Sequence, residues 1–189
     1  MIAGIGHNNG PEFEGETSWR RFAWNRARES LLPTLPIEVL RLRVKRAQQL
    51  GLPYRTYAGV RAATGRDVIG FLFSSNALRV LCDGQALPSD RVSRLAALVG
   101  ADRTAVVQPP LSLDAVLEAG VLDAASPAPR STESWVAMRD QIRAIILSRG
   151  RPSDGYLVIG ETPLEREWAE AGKTAGFLTG DRYFGGLAG

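Results

Sequence analysis

The chain has 189 residues, is 44% hydrophobic and carries a formal net charge of +3. That length supports one domain with a sizeable core, plus an appendage, and no apolar run approaches the roughly 18 residues needed to cross a bilayer. One His and one Cys, His7 and Cys82, exclude a disulfide framework and a zinc site built on such ligands; a metal would need carboxylates, as Mg²⁺ and Ca²⁺ do.

The sequence therefore reads as a soluble protein with no membrane span. Its first stretch, MIAGIGHNNGPEFEGE, lacks the basic start and apolar core of a secretory signal. With the single thiol, this sets a cytoplasmic location as the expectation. The charge is uneven. Residues 1–66 hold eleven Lys/Arg and five Asp/Glu, a balance of +6, whereas residues 67–189 hold twelve and fifteen, a balance of −3. A basic arm on a mildly acidic body suits an acidic protein partner or nucleic acid.

In chain order, residues 1–16 are rich in Gly and Asn and read as a flexible tail. His7 lies there with no base or carboxylate partner in sequence range. Residues 17–65 form a basic helical N-terminal region. Its first segment, TSWRRFAWNRARESLL, places Trp19 and Trp24 among arginines, as aromatic anchors for a partner or for the body. Beyond Pro33 and Pro36 a helix runs over residues 37–50, with Ile37, Leu40, Val44 and Ala47 as its buried stripe and Arg41, Arg43, Lys45 and Arg46 beside it. Gly51 and Pro53 stop it. A second helix spans Tyr54 to Thr64 and ends at Gly65. A helix-turn-helix reading of this stretch fails, because its recognition helix would be DVIGFLFSS, which offers apolar side chains to a groove that polar groups read.

Residues 66–183 then alternate strand and helix. DVIGFLFSS is a buried strand; Ser89 or Asp90 caps a helix over RVSRLAALVG; RTAVVQPP is a strand; LDAVLEAG is a short helix; SPAPRS is a loop. Thr132 leads a helix with Trp135, Met138, Ile142 and Ile145 on one face. GYLVIG is a strand, TPLEREWAEAG a helix and TAGFLTG a strand, and residues 184–189 are a tail. This alternation predicts an α/β fold, a three-layer Rossmann-like, mostly parallel sheet of about four strands with a helical N-terminal extension.

The stretch GETPLE concentrates the functional question. Thr162 at the N-cap, Pro163 at the first helical position and Glu165 three residues after Thr162 make a capping box, and Gly172 is the expected left-handed stop. Glu161 is left over. It follows a strand end, in the crevice where open α/β sheets bind ligands. Ser74, Ser75 and Asn76 end another strand, so with Glu161 and Glu165 they form the candidate ligand-binding crevice. Cys82 reads as an inert thiol, and no glycine-rich dinucleotide or P-loop motif is present.

Gly160-Glu161-Thr162-Pro163-Leu164-Glu165, with GFLFSSN at 70–76 and AGFLTG at 175–180, resembles the haloacid-dehalogenase-like phosphohydrolases over residues 67–181. The resemblance implies Mg²⁺ held by acids in a G-D-x-x-x-D pattern, here Glu161 and Glu165, and a phosphate-binding Ser74 or Ser75. The family's nucleophile motif, D-x-D-x-[TV], has no counterpart upstream of residue 67. Its phosphate-binding Lys is absent as well, so Arg130 or Arg139 would substitute. With GIGHNNGP and LLPTLPIEV, the chain also resembles a bacterial family of unassigned activity. The expectation is a non-catalytic intracellular binding or assembly protein with no cofactor. The rivals are a divergent Mg²⁺-dependent phosphohydrolase and a nucleic-acid-binding protein using the helix 37–50.

Overall fold

The computed structural model describes residues 35–185. The predicted tail and the Trp19–Trp24 segment lie outside them, as does His7. The chain divides into two units at Leu40. In the first, the described residues hold the opening turn of a helix, where the Leu40 N–H donates to Pro36 O at 3.0 Å. This helix, α1 (Ile37–Gln49), continues into the second unit. Of the predicted stripe only Ala47 is fully buried, and Ile37 is 62% exposed.

The second unit is an α/β fold. Helix α2 (Tyr54–Thr64) is followed by β1 (Gly70–Ser74), α3 (Ser89–Ala96), β2 (Asp102–Val107), α4 (Leu113–Leu117) and β3 (Ala124–Pro127). Then come α5 (Trp135–Ser148), β4 (Tyr156–Gly160), α6 (Pro163–Gly172), β5 (Gly176–Thr179) and α7 (Gly180–Phe184). The five strands are all parallel, in the order β3-β2-β1-β4-β5. The strand absent from the sequence reading is β3. Its residues, AASP, carry none of the β-branched or aromatic bulk that marks a strand.

Every residue of β1 and β4 is buried, as expected of central strands covered on both faces. Side-chain alternation splits the core in two. Phe71, Phe73, Leu157 and Ile159 point to one face, where Ala47, Tyr57, Leu95, Val116 and Tyr183 of the helices and Leu50 of the turn after α1 meet them. Leu72, Tyr156 and Val158 point to the other, under Met138, Ile142 and Ile146 of α5 and Trp168 of α6. The predicted stripe of α5 holds at Met138, Ile142 and Ile145, but Trp135 is 48% exposed, one turn beyond the packed face. Ser134, not Thr132, caps that helix, accepting from Ala137 N–H.

Three helix ends depart from expectation. Helix α3 begins after Pro88 without a side-chain cap from Ser89 or Asp90, and ends at Ala96, short of Gly100. The left-handed residue after α6 is Lys173, at φ 52° and ψ 49°. Gly172 is instead the last helical residue, and a Cβ there would lie 2.6 Å from Ile142 Cγ2; glycine lets α6 close on α5. Residues 180–184, read partly as tail, form α7, which buries Tyr183 against Phe71 and Phe73. Among the described residues, no helix is long and apolar enough to cross a membrane.

Candidate functional site

Strands β1, β2 and β3 run toward one edge of the sheet, and β4 and β5 toward the other. The direction reverses between β1 and β4, the switch point at whose carboxyl ends open α/β sheets bind ligands. The segments that emerge there are Ser75–Val80 and Glu161–Thr162. The topology therefore brings Ser74, Ser75, Asn76, Glu161 and Glu165 to the carboxyl ends of two adjacent strands.

Glu165 is fully buried and binds on both of its oxygens. The Asn76 side-chain amide donates to Oε1 at 2.8 Å. The backbone N–H groups of Glu161 and Thr162 donate to Oε2, the latter at 2.9 Å. Thr162 Oγ1 in turn accepts from Glu165 N–H at 3.3 Å, which completes the predicted capping box. The box thus does more than start α6: through Asn76 it ties that helix to the loop after β1, 89 residues earlier in the chain.

The two serines are turned to local work. Ser74 Oγ accepts from Ala77 N–H at 3.0 Å, and Ser75 Oγ accepts from Gln108 N–H, beyond the end of β2, at 3.1 Å. Both are fully buried. The residue facing the acidic loop from β1 is therefore Asn76, rather than either serine.

The Glu161 side chain sits apart from this network. Its Oε1 is buried with no hydrogen-bond partner among the described residues. The carboxylate packs over Gly180 and beside Ala77, where a Cβ on residue 180 would collide with Oε1. Burial, then the Asp181 carboxylate, pushes the Glu161 carboxyl above its ordinary range; Glu165 adds to this, against the pull of Arg79 and the Asp181 backbone N–H. Arg79, which adopts φ 60°, pairs with Asp181 at 2.8 Å. Arg79, Gly180 and Asp181 are the crevice residues that sequence reasoning missed. The last two follow β5 directly and so share its end of the sheet; Arg79 carries no local signal.

The arginines proposed to replace the family's lysine lie elsewhere: Arg130 is exposed, and Arg139 pairs with Asp140 at 2.8 Å. Among the described residues, no group of three His, Cys, Asp or Glu side chains is placed to hold a metal ion.

On α1, Arg41 and Lys45 are exposed and Arg43 is partly so. Arg46 is drawn into the chain. It donates to Asp67 Oδ2 at 3.0 Å and to the carbonyls of Val68, Val99 and Gly100 at 2.9–3.0 Å. Cys82 is an exposed free thiol.

The fold defines an α/β protein of Rossmann-like arrangement, in which Asn76 and Glu165 meet at the carboxyl ends of β1 and β4. No protein-family model, no curated protein and no solved structure matches the chain.

Proposed function

We propose that the protein is a non-catalytic binding or assembly protein, with an α/β body and a basic, tryptophan-containing N-terminal arm that engages an acidic partner. The observation that carries this reading is the engagement of Glu165 by Asn76 and two backbone N–H groups, while Arg79, the cation on the loop after β1, is paired with Asp181. Covalent phosphoryl transfer needs an activated nucleophile aimed at the substrate. Here Glu165 is tied into a clamp on both of its oxygens, and Glu161 has its Oε1 buried and packed against Gly180.

The resemblance to haloacid-dehalogenase-like proteins is compatible with the parallel α/β sheet and bears on the same reading. In that pattern the nucleophile motif ends a strand ahead of the Ser/Thr strand. Among the described residues β1 is the first strand, and Ser74-Ser75-Asn76-Ala77-Leu78, from its last residue onward, contains no aspartate. The stretch first matched to the phosphate-binding serine corresponds better to the nucleophile position, emptied of both acids. The chain is then a degenerate relative whose body binds rather than hydrolyses. The exposed Cys82 thiol suits a reducing, intracellular setting.

The rival is a divergent Mg²⁺-dependent phosphohydrolase using Glu161 with Glu165, and one assay separates the two. The full chain is incubated with p-nitrophenyl phosphate and Mg²⁺ across pH. The binding reading expects no turnover above the protein-free control. Saturable turnover that Glu161→Gln abolishes would establish the hydrolase instead.

A further inference from the structure

Strand β5 has β4 on one side and, among the described residues, no strand on the other. Parallel pairing fixes which backbone groups that edge offers. Ala175 N–H donates to Tyr156 O at 2.7 Å. Alternation along the strand then turns Phe177 toward β4 and Gly176 and Leu178 outward. Thr174 Oγ1 already donates to Gly176 O, at 3.4 Å. Leu178 therefore directs its N–H and C=O to the open edge.

A groove of about 400 Å³ runs beside this edge, lined by Arg166, Ala169, Glu170, Lys173, Thr174 and Phe177. Its cations are not spent internally. Arg166 stands one helical turn from Glu170, a spacing at which exposed opposite charges meet. Its guanidinium lies instead over the Phe177 ring, 4.5 Å from the centroid. Neither Arg166 nor Lys173 forms an ion pair among the described residues. Lys173 brings its ammonium to the same groove from the left-handed position after α6, where glycine is usual.

We propose that the β5 edge is a docking strand for an acidic, extended segment of a partner protein. The segment pairs with the backbone of Leu178 and lays a carboxylate in the groove between Arg166 and Lys173. Main-chain pairing supplies affinity in such strand addition, and side-chain pockets supply the selection. Since β5 has only four residues, few backbone bonds form, and the two unpaired cations supply the charge complementarity that favours an acidic sequence. The surface is separate from the β1–β4 crevice and stands whatever that crevice does.

The probe is a fluorescein-labelled octapeptide of alternating Glu and Val, with a Gln/Val peptide as control. Each is titrated onto the full chain and followed by anisotropy, with amide hydrogen exchange of Leu178 as the site readout. The Glu/Val peptide is expected to bind and slow exchange at Leu178. Arg166→Gln with Lys173→Gln is expected to weaken it about tenfold, the scale of two exposed charge pairs. Both residues are exposed, so the variant keeps the fold, which circular dichroism verifies. The proposal is overturned if the Glu/Val peptide does not bind, if the Gln/Val peptide binds equally, if the double variant binds undiminished, or if Leu178 exchange is unchanged in the complex.

Discussion

Replacing Asn76 by alanine removes a single donor, and the structure sets what that does. The Asn76 amide donates to Glu165 Oε1 at 2.8 Å, and Glu165 is fully buried. Without it, one oxygen of a buried carboxylate loses its partner. A hydrogen bond to a charged group contributes about 1.5–3 kcal/mol, and a buried acceptor left bare adds its desolvation. Asn76 is itself partly exposed, so water can reach part of the space the amide vacates. The expected loss is therefore about 2 kcal/mol, at the lower part of that range. For a protein of this size it corresponds to a fall in Tm of roughly 4–8 °C. Glu165→Ala should cost more, about 3–5 kcal/mol, because the cap of α6 goes as well. Urea denaturation of wild type, both single variants and the double variant closes a cycle, and the coupling between the two sites should be about 1–2 kcal/mol. A single-variant cost under about 0.5 kcal/mol for Asn76→Ala, with no coupling, refutes the reasoning that this contact ties the two loops together.

Gly172→Ala places a Cβ 2.6 Å from Ile142 Cγ2 and should destabilise by about 1–3 kcal/mol despite alanine's better helix propensity; an unchanged denaturation midpoint would show that α6 and α5 do not meet so closely. Glu161 has a folded-state pKa above its unfolded value, so its contribution to stability is fully present below the ordinary carboxylate range and is lost as pH rises through the raised value. Glu161→Gln should flatten that decline in a series of denaturation midpoints, and an identical pH profile in the variant would contradict the burial of this carboxyl. Arg46→Ala removes donors to three carbonyls and to Asp67, and should cost about 2–4 kcal/mol by thermal or urea unfolding. A neutral result would return Arg46 to the exposed basic face. If nucleic acid binds through Arg41, Arg43 and Lys45, affinity for a labelled duplex must fall steeply with salt; the binding-protein reading expects no such salt-dependent complex.

What could be read in the sequence was what neighbouring residues decide. Thr162, Pro163 and Glu165 announce a capping box because all its partners lie within four positions, and the box is present. Likewise GFLFS and YLVIG are too short and too apolar to be anything but central strands, and both are fully buried. The strand β3 escaped because an edge strand needs little hydrophobic bulk, and AASP has little. The helical phase of Trp135 matches Met138 and predicts a buried side chain, but phase says nothing of where the sheet beneath ends. Gly172 reads as a stop signal, since sequence does not distinguish a glycine needed for its φ from one needed for its missing side chain. At the crevice, the strand-end rule placed Asn76, Glu161 and Glu165 in one region. Which of them touch depends on strand order and register, and these are set by packing across the whole sheet.

Hydrogen exchange on the full chain tests the closed crevice most directly. The amides of Glu161 and Thr162 donate to Glu165, and Ala77 N–H donates to Ser74 Oγ. The account predicts slow exchange at all of them in the wild type and faster exchange at Glu161 and Thr162 in Asn76→Ala. Exchange at free-peptide rates in the wild type would contradict it, because the loops after β1 and β4 would then be open to solvent and not held by Glu165.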